Sequence, residues 1–197
     1  MARPRTPAPE LPILLLEDRA AWESWLAQNA DAAPGVWLQL GRKNSGLVTV
    51  SYADAVEVAL CHGWIDGQRK SYDDRSSLQR YTPRGPRSIW SKINREKAIR
   101  LIETGRMQPG GLKAIEAAKA DGRWEQAYDS ARTATVPDDL ASALDGNPAA
   151  KEFFETLNST NRYAVLFRIQ TARRAETRAR WVERLVDMLA RGEKLHP

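Results

Sequence analysis

The sequence predicts an α+β protein, with a small, mostly antiparallel sheet and packed helices in its first half and an all-helical C-terminal half. Two observations carry this. Strand-like runs bounded by turn residues occur only before Pro86, and the apolar spacing turns helical from Ser88 onward. A third sets the scale: 197 residues, 42% hydrophobic and 28% charged, suffice for a substantial core in one domain, or in one domain plus a small appendage.

Pro4, Pro7, Pro9 and Pro12 bar regular helix, so residues 1–12 are expected to be a disordered lead-in. Ile13 to Glu17 forms a short β-like run. Asp18 is placed to cap a helix bearing Trp22, Trp25 and Leu26 at core spacing. Pro34-Gly35 breaks the chain before a strand from Val36 to Leu40. Asn44-Ser45-Gly46 is a turn, after which Leu47 to Val50 either pairs back or leads onward. Ser51 and Asp54 form a variant capping box, opening a helix that runs to His62 and stops at Gly63. Trp64 to Tyr72 and Leu78 to Tyr81 form a hairpin about Asp73-Asp74, ended by Pro83 and Pro86.

Ile93, Ala98, Leu101 and Ile102 make the apolar stripe of the next helix, which Gly105 ends. Pro109 starts another, with Leu112, Ile115 and Ala118 toward the core. Residues 13–128 thus form the α+β domain. Residues 129–148 resemble a linker with one short helix near Leu140 to Leu144. Residues 149–197 form the helical C-terminal region, with helices at Lys151 to Leu157, Asn161 to Arg174 and Glu176 to Arg191.

Several function classes drop out. No run of about 18 apolar residues exists to span a membrane, and Ile13 to Leu16 is too short for a secretory core. One cysteine, Cys61, allows no internal disulfide or Cys-based zinc site, and two histidines cannot build a His-rich metal centre. No metal and no cofactor is therefore expected, and the simplest compartment is the cytoplasm. No G-x-S-x-G, P-loop, G-x-G-x-x-G or H-E-x-x-H pattern occurs, so no catalytic constellation can be named. Cys61 reads as a small buried residue. His62 reads as a polar helix-end residue whose positive form suits the dipole.

The net charge of +5 is concentrated. Residues 75–100 hold eight basic side chains against one acidic, Glu96. Within and beside this stretch arginines, aromatics and hydroxyls interleave. Arg80 and Arg84 present planar forks suited to carboxylate or phosphate. Trp64 and Trp90 offer walls for a planar group, Asp66 would orient an arginine, and Ser91, Lys92 and Asn94 would donate from a helix start. These eight residues are the predicted ligand site, for an anionic small molecule. The alternative reading makes the tryptophans core and the arginines a solvated rim. A protein-interaction module is a second function hypothesis, nucleic-acid binding a third, and an enzyme using Asp66 the weakest. The arginines Arg173 to Arg184 read as an exposed face of an amphipathic helix.

Ala59 to Gly67, Arg80 to Arg84, Ser88 to Asn94 and Gly105 to Met107, with Phe153 to Leu157, Arg162-Tyr163 and Ala172 to Arg178, resemble the YdeI/OmpD-associated (bacteriocin-protection) family of bacteria over about residues 13–192. His62 departs from the aromatic residue common there. The resemblance implies a role linked to envelope stress and cationic-peptide resistance, and it implies no catalytic residues.

Overall fold

A computed structural model describes residues 10–197; of the predicted lead-in over 1–12, residues 1–9 lie outside the described residues, and Pro12 is already tied to the sheet. Strand β1 (Ile13–Leu14) pairs in parallel with β2 (Val36–Gly41), and Pro12 already lends its carbonyl to the Trp37 N–H at 2.9 Å. Strands β3 (Trp64–Ser71) and β4 (Ser76–Pro83) form the predicted hairpin, and β4 also pairs antiparallel with β2. The order is β1-β2-β4-β3, a mostly antiparallel four-stranded sheet. Strand β4 starts at Ser76 rather than Leu78, because Asp73 closes the turn by accepting from the Arg75 N–H (2.9 Å) and the Ser76 hydroxyl (2.7 Å).

The caps read from sequence are present. Asp18 accepts from the Ala21 N–H at the start of α1 (Arg19–Asn29), and Ser51 from the Asp54 N–H at the start of α2 (Tyr52–Cys61). Trp22 and Leu26 of α1 and Ala55, Val58 and Ala59 of α2 are buried, as are Val36, Leu38 and Leu40 on alternate positions of β2. The Trp22 indole N–H is satisfied by the Ala55 carbonyl at 3.1 Å. Leu47 to Val50 forms no strand. Its backbone is held instead by single bonds, from the Gly41 N–H to the Thr49 hydroxyl and from the Val50 N–H to the Leu16 carbonyl.

Helix α3 (Lys92–Glu103) starts four residues later than the helical spacing from Ser88 implies. Trp90 and Lys92 instead exchange backbone bonds with Tyr128, which hold residues 90–92 extended. Ala98 and Leu101 are buried as predicted, but Ile93 and Ile102 are exposed, so the stripe is narrower than the sequence implies. In α4 (Pro109–Ala120), Ile115 and Ala118 are buried while Leu112 is exposed.

Four further helices follow: α5 (Asp138–Asp145), α6 (Pro148–Thr156), α7 (Ser159–Gln170) and α8 (Ala175–Ala190). They share one core, including Leu140, Leu144, Phe154, Ile169, Leu185 and Leu189. Leu140 and Leu144 make α5 part of that core, so the stretch resembling a linker carries a packed helix. The chain divides into two compact units. The first comprises residues up to Ser88 together with Glu96–Asp121, and the second Ile89–Arg95 together with Gly122–Pro197.

Candidate functional site

The eight residues singled out from the sequence fall into both units: Trp64, Asp66, Arg80 and Arg84 belong to the first, and Trp90, Ser91, Lys92 and Asn94 to the second. In the first, Trp64 is 1% exposed, its indole N–H donates to the Ala30 carbonyl at 3.2 Å, and Trp22 and Trp25 meet it edge-on at 6.4 and 5.9 Å. It is a core residue, and no ligand can stack on it in this state. Asp66 is paired across the hairpin with Tyr81, while Arg80 is the next residue along β4. Neighbouring strand residues point to opposite faces, so Asp66 does not orient Arg80. Its carboxylate accepts instead from the Tyr52 hydroxyl at 2.7 Å. Arg80 is half-buried, and its Nε is enclosed without a hydrogen-bond partner among the described residues. Arg84 is half-buried and its N–H donates to the Gly63 carbonyl at 2.9 Å.

The residues from the second unit have structural work. Trp90 is 1% exposed and packs edge to face with Trp124 at 4.9 Å, so it too is core rather than wall. The Ser91 hydroxyl accepts from the Asn94 N–H, capping α3, and Lys92 pairs with Asp129 at 2.7 Å. Asp129 is itself fixed: its N–H donates to the Gln170 side-chain oxygen, and its carbonyl accepts from Gln170 Nε2 and from the Tyr163 hydroxyl.

Near the α2 terminus, burial pushes the Cys61 thiol up to about 11, with Glu23 adding to the effect, so the thiolate is absent at neutral pH. Burial also lowers the His62 pKa, against the pull of Glu23 and Asp31. The neutral form is favoured, and desolvation outweighs the helix-end dipole that the sequence reading relied on. No group of three or more metal-ligating side chains occurs among the described residues.

A larger feature lies wholly within the second unit: a cavity of about 610 Å³ along α7. Its lining includes Tyr163, Phe167, Arg168, Thr171, Trp181 and His196. Ser159, Tyr163, Phe167 and Thr171 recur every four residues, with Thr160, Ala164 and Arg168 beside them, so one helix face of about 18 Å forms the wall. The opposite face supplies Val165 and Ile169 to the core. Tyr163 and Phe167 pack at 5.8 Å, and the Arg168 guanidinium lies 5.1 Å from the Trp181 ring centre. Burial raises the Tyr163 pKa, which keeps the phenol neutral and donating to the Asp129 carbonyl. No carboxylate is among the lining residues. The size is typical of an organic-ligand site, and the chemistry is aromatic and apolar, with one guanidinium and the His196 imidazole.

None of the lining belongs to the eight residues expected from sequence. A signal existed, because α7 carries apolar side chains on both faces, more than a helix with one core-facing stripe needs.

Two family models match the chain. Residues 14–114 match one described as a domain of unknown function, DUF8412. Residues 133–192 match one described as bacteriocin-protection, YdeI or OmpD-associated. The motifs between Ala59 and Met107 fall in the first match; the cavity residues from Ser159 to Trp181 fall in the second. No curated protein and no solved structure matches the chain.

Proposed function

From a chain that belongs over residues 14–114 to a family of unknown function and carries over residues 133–192 a YdeI/OmpD-associated, bacteriocin-protection domain, we propose that the second unit binds a small organic anion in the cavity along α7. One observation supports this above others: about 610 Å³ of space is lined by Tyr163, Phe167, Trp181 and His196 with one guanidinium, and by no carboxylate to repel an anion. The rings would take the apolar body of the ligand, and Arg168 would exchange its contact with Trp181 for a two-pronged hydrogen bond to the anionic group. The anion reading made from sequence is kept, but its place moves from the Arg80 to Asn94 stretch to α7 and α8. A role in envelope stress or bacteriocin protection rests on the family description, and a cytoplasmic location on the sequence reading alone. No helix among the described residues is long and apolar enough to cross a membrane.

Calorimetric titration with biphenyl-4-carboxylate and its uncharged amide tests the proposal. The acid is expected to bind about tenfold tighter than the amide, and Arg168→Gln to remove that preference while leaving the fold intact by circular dichroism. Absence of binding by either compound at millimolar concentration, or a preference unchanged in Arg168→Gln, would overturn it.

A second anion site in the first unit is favoured by one observation, the enclosed and unpartnered Nε of Arg80. Arg84 stays with it as part of that reading.

A further inference from the structure

We infer that the ligand of the α7 cavity is an apolar-bodied dianion whose two charges meet the two arginines packed on Trp181, one in each adjoining hollow; this rests on the anion reading above. Trp181 lines two hollows. One is the 610 Å³ cavity, and the other, about 440 Å³, is lined by Thr177, Arg180, Glu183 and Arg184 besides Trp181 itself. Each hollow brings its own arginine to the same indole. The Arg168 guanidinium, from α7, lies 5.1 Å from the ring centre, and that of Arg184, three residues further along α8, lies 5.5 Å from it.

The two cations are therefore no more than about 11 Å apart, both packed on the same aromatic ring. Neither has an ion-pair partner among the described residues. A guanidinium over an indole keeps its N–H fork directed outward and available, and a carboxylate is a stronger partner for that fork than the ring.

A monoanion bound through Arg168 would leave Arg184 unmatched. A second anionic group, carried past Trp181 on a rigid apolar spacer, would meet it. Arg180 stands in the same hollow, its Nε weakly engaged with the Glu176 carbonyl at 3.4 Å, and adds positive potential. Glu183 lines this hollow as well and opposes anions there, so the second group must be directed at the arginines rather than free to wander. The first cavity has no such carboxylate. The chemical class is thus an aromatic or otherwise apolar dicarboxylate, with one charge per hollow.

Calorimetry with biphenyl-4,4′-dicarboxylate beside biphenyl-4-carboxylate tests this, each at low and physiological salt. The dianion is expected to bind at least about tenfold tighter, with the steeper salt dependence. Arg184→Gln should bring the dianion down to the monoanion's affinity and leave the monoanion unchanged, while Arg168→Gln should weaken both. Arg184→Lys, which keeps the charge but not the fork, should fall between. Equal affinities for the two compounds, unmoved by Arg184→Gln while the monoanion still binds, would overturn the two-charge inference alone. Binding of neither compound would overturn it together with the anion reading.

Discussion

At the scale of single residues, aromatic identity was easier to read than aromatic exposure. Trp64 and Trp90 lie in the most distinctive sequence stretch, and both ended in the core, where neighbouring rings meet them edge-on. Nothing in local sequence shows that the Ala30 carbonyl, 34 residues away, will satisfy the Trp64 N–H, and without such a partner a buried indole is unfavourable. His62 has the opposite lesson. Its place at the α2 terminus was legible, but its charge state depends on burial, which a linear reading does not supply. Its folded pKa lies below the ordinary 6.5, so below pH 6.5 the unfolded chain takes up the proton more readily than the folded one. Stability is therefore expected to fall as pH drops through 6.5 toward the lowered folded pKa. Urea denaturation at pH 7.5 and 5.5 would measure it, and in His62→Phe the loss over that interval should shrink. An unchanged loss in the variant would assign the acid sensitivity to other groups.

At the scale of elements, chemistry written in neighbouring residues was recovered and chemistry written across the chain was not. The Asp18 and Ser51 caps, the Asp73 turn and the stop at Gly63, with φ of +75°, all depend on residues within a few positions. The late start of α3 depends on Tyr128, and the second face of α7 on α8. The meeting of α2 and α4 is of the distant kind. The Gln108 N–H donates to the Cys61 carbonyl, and Gly111 packs so closely that an added Cβ would collide with the Cys61 carbonyl and the Met107 sulfur. Gly111→Ala is expected to destabilise the protein by about 2–3 kcal/mol, as overpacking against backbone does. Gly85→Ala, where an added Cβ meets nothing within 4 Å, should be close to neutral. Thermal denaturation of the pair would check this, and equal melting temperatures would contradict the close approach.

At the scale of the whole molecule, the α+β class and the all-helical second half were legible, because strand-like runs cease before Pro86 and only helical spacing follows. The partition into units was not, because the second unit takes residues 89–95 from within the span of the first. Trp90 against Trp124 and Lys92 with Asp129 fasten that segment. Trp90→Ala should therefore reduce amide hydrogen-exchange protection across residues 122–197, at a cost of about 3–5 kcal/mol for a buried tryptophan. Loss confined to residues 13–83 would refute the assignment. The same segment bears on how such a chain can be inherited. The first family match, 14–114, contains residues 89–95, although they fold with the residues that follow Gly122. The two matched stretches of this chain consequently do not coincide with its two compact units. A gene fusion that joined a new N-terminal partner to residues 122–197 would leave behind the Trp90 ring and the Lys92 charge. A viable exchange would have to transplant both breakpoints, or evolve replacements for those two anchors at the seam.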